Sequence, residues 1–234
     1  MSTDVTVVLP VKRWSNAKTR LDVSPGERAA LARGFCLDVL AVLRASEAVA
    51  HVVVVTDEPV LVDLGSDART TVLVHGSHRG SRALNRAVSR GLAWARTHRP
   101  ASPVVVLPGD LPALTGESLT QAIHALAMHE RSFVPDHDGE GTTLLFGRTP
   151  EMLRPAYGRR SAAAHAASGH VPCADVDPRA RLDVDTTDDL RRALEVGIGP
   201  ETATACWTMR SAEEVLEEEL RLHCAMFSPW TTLW

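Results

Sequence analysis

The side chains most able to do chemistry in this chain fall in five short stretches. "LPVKRWSNAKTRL" sets Lys12, Arg13, Lys18 and Arg20 directly after an apolar run. Four cations in a loop that leaves a buried strand can neutralise a polyphosphate, and nearby backbone N–H groups add donors. "VVVLPGDLPAL" places Asp110 behind a second apolar run, and Gly109 lets a ligand approach the backbone closely. A carboxylate facing a phosphate-binding loop is repelled unless a cation lies between them. Mg²⁺, held by one or two carboxylates plus phosphate oxygens, is the usual solution.

In "RLDVDTTDDL", Asp183 and Asp185 alternate, so an extended segment points them to opposite sides. The reading is that Asp183 faces the cleft as a second metal ligand and Asp185 starts the following helix; the reverse assignment stays open. "DGEGTTLLFG" offers Thr142 as a donor to a small anion. "YGRRSAAAHAASGH" supplies Gly158 for a tight turn, Ser161 to open a helical turn and His165 on the same face at i+4. A serine at a helix start suits phosphate or carboxylate. Taken singly, each stretch has a plainer reading: a solvated basic turn, a turn or cap aspartate, a capped helix with a surface histidine. The chemistry depends on their meeting.

Several chemistries are excluded by pattern. GxxxxGK[ST] and GxGxxG are absent, which argues against a Walker A nucleotide site and a dinucleotide oxidoreductase. No GxSxG elbow accompanies the local Ser161–His165 pair, so a serine nucleophile is set aside. The ten histidines are dispersed, with no HExxH. Cys36, Cys173, Cys206 and Cys224 lack CxxC spacing and read as reduced thiols of a cytoplasmic protein.

The elements that must carry these residues alternate. "DVTVVLP", "HVVVVTDEP", "TTVLVH" and "SPVVVLPGDLP" read as buried strands. Between and after them, "SPGERAALARGFCLDVLAVLRAS", "SRALNRAVSRGLAWARTHR" and "TGESLTQAIHALAMHE" read as helices. Ser24, Pro25 and Glu27 give the first of these a capping box, and Thr115 caps the third. "SFVPD" and "TTLLFG" add two strands, and "TTDDLRRALEVGIG" a helix ended by Gly197. Strands buried on both faces and separated by helices indicate a single-domain, Rossmann-like α/β fold, with a mostly parallel sheet covered on both sides. Ligands in such folds bind beyond the carboxyl ends of the strands. The basic loop and Asp110 should therefore open onto one crevice.

The 234 residues suit one large domain or two small ones, and 44% hydrophobic with 23% charged is globular in balance. A net charge of -4 and 4% aromatics argue against a nucleic-acid partner. No apolar run reaches the roughly 20 residues of a membrane span, and the N-terminus shows no signal-peptide pattern. From about Glu201 the composition changes, with three of the five tryptophans and a glutamate block. "SAEEVLEEELRL" within it reads as a helix capped by Ser211.

The ordered set "LPVKRWSNAKTRL", "LNRAV", "LPGDLPAL", "GEGTTLL", "YGRRSAAAHAASGH" and "LDVDTTDDL" resembles the 2-phospho-L-lactate guanylyltransferases, some of whose members act on phosphoenolpyruvate in coenzyme F420 biosynthesis. The resemblance runs from about Val5 to about Ala203. It implies a nucleotidyltransferase domain over residues 1–203, with 204–234 a helical extension or tail. It also implies GTP held by Leu9, Pro10, Lys12 and Lys18 with Gly109, and Asn85 near the nucleoside. Lys12, Lys18 and Arg20 would serve catalysis with Asp110 and Asp183, the two Mg²⁺-binding aspartates. Thr142, Gly158 and Ser161 would bind the three-carbon acid. The acid's phosphate would attack the α-phosphate of GTP and release diphosphate. A substrate phosphate is already an anionic nucleophile, so such a site needs positioning and charge neutralisation more than a base. "YGRRS" departs from the family's usual "FGPDS": Arg159 and Arg160 add positive charge beside Ser161 and leave the acid open. A homodimer is left open, as are a molybdenum-cofactor or sugar-phosphate nucleotidyltransferase and a non-catalytic nucleotide binder.

Overall fold

The computed structural model describes residues 4–76 and 83–209. The first apolar run becomes β1 (Val5–Val11), buried along its whole length. A strand covered on both faces has no use for a polar alternation, which is why its sequence is apolar but for Thr6, whose hydroxyl meets Ser102 Oγ at 3.3 Å. α1 (Pro25–Ala45) begins with the reciprocal Ser24–Glu27 box that its sequence announces. Then come β2 (Val49–Thr56), α2 (Pro59–Leu64), β3 (Thr70–Val74), α3 (Ala83–His98), β4 (Val104–Val106) and α4 (Gly116–Leu126). β5 (Arg131–Pro135) and β6 (Thr142–Gly147) precede α5 (Ser161–Ala167), β7 (Val171–Pro172) and α6 (Thr187–Val196). A further helix is described over 200–209. α2 and β7 go beyond the sequence reading, being too short to show a period.

The seven strands lie in the order β3-β2-β1-β4-β6-β5-β7. The pairs β1–β2, β1–β4, β2–β3 and β5–β7 are parallel, while β6 runs antiparallel to β4 and β5. The chain builds outward from β1 to β3, and α3 then carries it back to β4 on the other side of β1. β1 and β4 are thus neighbours where the strand order reverses, and a crevice beyond their carboxyl ends follows from that topology.

Alternate residues of β1 feed two cores. Val5, Val7, Leu9 and Val11 face α1 and α4, packing with Cys36, Leu40, Leu119 and Ile123. Val8 faces α3 and α5, packing with Val53, Val55, Val88, Leu92 and Ala162. A Cβ at Gly91 would run into Val8, so the glycine lets α3 lie close on the sheet. A third cluster joins Leu31 and Phe35 of α1 to Leu21, Val184, Leu190 of α6 and Ala205. The last helix is pinned to α1 by buried Asp38, which accepts from Glu201 N–H (3.0 Å) and Thr202 N–H (2.9 Å). That helix runs across position 203. The expected helix "SAEEVLEEELRL" and Cys224 lie outside the described residues, and Cys36 and Cys173 are free thiols. Among the described residues no helix is long and apolar enough to cross a membrane.

Candidate active site

Past β1 the chain makes a turn at Trp14–Asn16 and then bends back at Lys18. Two contacts with the end of β2 hold the turn. Trp14 N–H donates to the buried Glu58 Oε2 at 2.9 Å, and Arg13 donates to the Asp57 carbonyl at 3.3 Å. Lys18 has φ 52°, the left-handed region that side chains seldom adopt. Among the described residues the other non-glycine there is Arg160, at φ 57°. Such strain tends to gather at functional sites.

That bend turns Lys18 inward. Its Nζ lies 2.9 Å from Asp110 Oδ2 and 3.0 Å from Asp185 Oδ1. Arg20 adds a 3.5 Å ion pair to Asp185 Oδ2. Asp110 follows β4 after Leu107, Pro108 and Gly109, and its carbonyl accepts from Val184 N–H at 3.0 Å, which brings 183–185 across the strand ends. Asp185 does not start α6, contrary to the sequence reading. Thr186 is the cap, accepting from Asp189 N–H while Asp189 answers back. With the helix end satisfied by that pair, the Asp185 carboxylate is left to Lys18.

The two alternating aspartates also act on one neighbourhood. Burial raises the Asp183 carboxyl, and the Asp110, Asp185 and Asp136 carboxylates raise it further, to about 8; Lys18 only partly offsets them. Burial works against the Asp185 charge, yet Lys18, Arg20 and Lys12 hold it below the usual carboxylate range. Burial alone would lower the Lys18 ammonium, but Asp110 and Asp185 outweigh it and keep it raised. Asp183 meets no lysine or arginine ion pair among the described residues, and His137 Nδ1 lies 4.0 Å away. A half-buried carboxyl whose neighbours are carboxylates has the donor chemistry of a site for a hard divalent cation.

The crevice has two compartments separated by the β1 loop. One, about 280 Å³, is lined by Pro10, Lys12, Lys18, Arg20, Gly109, Asp110 and Asp185. The other, about 350 Å³, lies between Lys12–Arg13, Thr56–Asp57 and the start of α3. The basic loop and Asp110 thus share one cleft. Leu9 faces the core instead, with no exposed surface. A Cβ at Gly109 would make only ordinary contact with Cys36, so packing alone does not demand the glycine. Burial pushes the Cys36 thiol up to about 12, which leaves it a packing group in the cleft wall.

Thr142, Gly158 and Ser161 lie outside the lining of both compartments, and Thr142 and Ser161 are buried. Thr142 opens β6 opposite Pro135, next to Asp136, whose charge reaches Asp183. Ala162 N–H donates to the Glu140 carbonyl at 3.0 Å, so the start of α5 rests on the loop before Thr142. Gly158 has φ 151°, and the preceding Tyr157 is buried beside Asp110. Arg160 occupies the α5 cap position with no side-chain cap, and Ser161 is the first helical residue. His165 is not a surface histidine. It is fully buried, with Nδ1 2.9 Å from Thr142 Oγ1 and Nε2 accepting from Ala156 N–H at 2.9 Å. Asn85 has both ends of its amide engaged with the Tyr157 backbone, at 2.8 and 2.9 Å, so it braces the 157–158 turn.

Sequence reasoning missed the parts played by Glu58, Asp136 and Tyr157. Glu58 and Asp136 do carry a signal, each being an acidic residue just past a strand's carboxyl end. Tyr157 carries none.

A mostly parallel sheet with its switch point at β1/β4, a basic loop on one strand end and a carboxylate cluster on the other define a nucleotidyltransferase. The chain belongs to the family described as "Guanylyl transferase CofC like", which matches residues 5–203. It is 43% identical over 210 residues to the phosphoenolpyruvate guanylyltransferase of Streptomyces scabiei, covering 86% of this chain and 94% of that one. Its identity to the protein of the same name from Streptomyces coelicolor is 41% over 203 residues, covering 85% and 93%. Among solved structures it resembles Rv0371c from Mycobacterium tuberculosis H37Rv, with TM-score 0.53, 27% identity and 83% and 99% coverage. A putative nucleotide-diphospho-sugar transferase from Desulfovibrio desulfuricans G20 shares the fold at TM-score 0.56 and 20% identity, covering 81% and 85%.

Proposed function

We propose that the protein transfers GMP from GTP to the phosphate of phosphoenolpyruvate, releasing diphosphate, as a step of coenzyme F420 biosynthesis. The observation that carries the reading is the convergence of Lys18 with Asp110 and Asp185 across the ends of β1 and β4, in a chain of this family. A phosphate oxygen of the acid forms a bond to the α-phosphorus of GTP. The bond from that phosphorus to the bridging oxygen breaks, and the electron pair leaves with diphosphate. The nucleophile arrives ionised, so no protein base is required.

The chain's own residues position the reactants and cancel charge. The smaller compartment, with Lys12, Lys18 and Arg20, takes the triphosphate, and the larger one beside α3 takes the nucleoside. Thr142, Gly158 and Ser161 hold the acid, with Asn85 bracing the turn that carries Gly158. Asp110 and Asp183 would hold Mg²⁺, with Lys18 already pairing both Asp110 and the nearby Asp185. When bound, that ion supplies positive charge between two anionic substrates and on the departing diphosphate. Keeping the reactive groups in place without reorganisation is where the rate is gained.

The test is incubation with GTP, Mg²⁺ and either phosphoenolpyruvate or 2-phospho-L-lactate, reading diphosphate release and product mass. A guanosine diphosphate ester of phosphoenolpyruvate is expected. Release with neither acid rules the reading out, and release with 2-phospho-L-lactate alone corrects the acid.

A further inference from the structure

The geometry points to His165 as the positioning residue of the acid subsite: its imidazole fixes the Thr142 hydroxyl as a hydrogen-bond donor toward the substrate and pins the turn that precedes Gly158. The inference rests on the proposed function, because it concerns how Thr142 meets the acid.

The argument starts from the backbone. Ala156 N–H can only donate, and it points at His165 Nε2 over 2.9 Å. That nitrogen therefore offers its lone pair. The ring is fully buried against Phe133, Tyr157 and His170, with centroid separations of 5.9, 5.1 and 5.8 Å. Burial, with His170 adding to it, pushes its pKa down to about 4, so the ring is neutral near physiological pH. A neutral imidazole with Nε2 free of hydrogen carries its proton on Nδ1. Nδ1 then donates to Thr142 Oγ1 over 2.9 Å. A hydroxyl has one proton to give and can accept as well. Having accepted from His165, Thr142 must aim its own proton elsewhere, and among the described residues Oγ1 has no second partner. Thr142 stands at the start of β6, beside the 136–141 loop that borders Asp183 and the first turn of α5. A hydroxyl proton left to be donated at that point suits a carboxylate or phosphate.

The same ring does a second job. Ala156 and Tyr157 precede Gly158, and the Asn85 amide holds Tyr157 from the other side. His165 and Asn85 together fix the segment on which Gly158 and Ser161 depend. α5 is only seven residues long and cannot set that geometry by itself.

Two substitutions separate the two jobs. The amide of His165→Gln reaches the Nε2 position and can still accept from Ala156, but it leaves Thr142 without its donor. The amide of His165→Asn reaches the Nδ1 position and can still donate to Thr142. Losing an oriented donor to a charged group should raise the KM for phosphoenolpyruvate roughly tenfold to a hundredfold in His165→Gln. The KM for GTP should stay within about twofold, and His165→Asn should recover most of the loss. Nitrogen-15 NMR of the wild-type ring at neutral pH should show the Nδ1-protonated tautomer. A ring protonated on Nε2 overturns the inference whatever the variants do, and decides the matter if neither variant folds. Equal effects of the two variants on the acid, or a GTP KM that rises in step, also overturn it. Wild-type protein that ignores phosphoenolpyruvate sinks the substrate reading itself. Wild-type turnover with an unmoved acid KM in His165→Gln sinks only the role of His165.

Discussion

The Lys18 ammonium sits 2.9 Å from Asp110 and 3.0 Å from Asp185, so one side chain ties the β1 loop to the end of β4 and to the segment entering α6. Lys18 is nearly buried, whereas its partners are more open, with side chains 27% and 48% exposed. Removing the lysine leaves Asp110, Asp183 and Asp185 facing one another. Lys18→Met should cost about 2 kcal/mol, below the loss for a fully buried pair because solvent screens the aspartates. Mg²⁺ should return much of that stability by taking over the neutralisation, while turnover stays low. Urea denaturation with and without Mg²⁺ checks this; a variant as stable as wild type in both conditions would mean the lysine neutralises nothing.

Asp183 sets a pH dependence of the opposite sign to an ordinary ion-paired carboxylate. Its pKa rises from 3.8 to about 8 on folding. Between those values the native chain keeps a proton that the unfolded chain has released, so this residue makes stability fall as pH rises. Asp183→Asn removes that contribution. The difference in Tm between variant and wild type should therefore grow from about pH 5 to about pH 8, and saturating Mg²⁺ should shrink it. Taking the difference cancels the histidines common to both proteins. A pH-independent gap would show that Asp183 is ionised throughout.

Much of this was legible in the sequence, for reasons that can be traced. β1 and β4 announce themselves because burial on both faces selects an almost wholly apolar run. α1 does so because Ser24 and Glu27 satisfy its first N–H groups locally. The meeting of the basic loop and Asp110 followed from topology, since strand ends at a switch point share a crevice. What failed to show was tertiary choice. Asp185 and Thr186 are adjacent, and either could cap α6; only the fold shows that Lys18 claims the aspartate. His165 reads as one polar residue in an alanine-rich stretch, and its burial depends on Thr142 and Ala156 arriving from elsewhere in the chain. Asn85 shows no sign of its clamp on Tyr157 until α3 is laid on the sheet.

Asp110 offers the sharpest separation of chemistry from fold. In Asp110→Asn the amide oxygen can still accept from Lys18 Nζ, and the backbone carbonyl that receives Val184 N–H is untouched. The fold should survive, with circular dichroism and Tm close to wild type. The negative charge is lost where a divalent ion must be held, so kcat should fall at least about a hundredfold. Diphosphate release at saturating GTP, acid and Mg²⁺ is the measurement. Turnover within about tenfold of wild type would remove Asp110 from the site.

Under the proposed function, Ser161 should discriminate between the two substrates. It begins α5, away from the residues that line the two compartments of the crevice. Ser161→Ala removes a hydroxyl without disturbing the helix, since alanine is the best helix former. The KM for phosphoenolpyruvate should rise roughly tenfold and that for GTP should hardly move. Equal shifts in the two constants would place Ser161 on neither substrate in particular.

The opposite asymmetry is expected from Glu58, which touches no substrate. Its carboxylate takes the Trp14 N–H at 2.9 Å, and that bond sets where the loop bearing Lys12 and Lys18 leaves β1. Glu58→Ala leaves a buried N–H without a partner, at a cost of about 1–3 kcal/mol. Glu58→Gln keeps an acceptor and should lose little. Because the loop separates the two compartments, its loosening should raise the KM for GTP several-fold more than that for the acid. Steady-state kinetics on both variants, alongside urea denaturation, tests the link. If Glu58→Ala is destabilised but binds GTP normally, Lys18 and its two aspartates hold the loop by themselves and the tether serves stability alone.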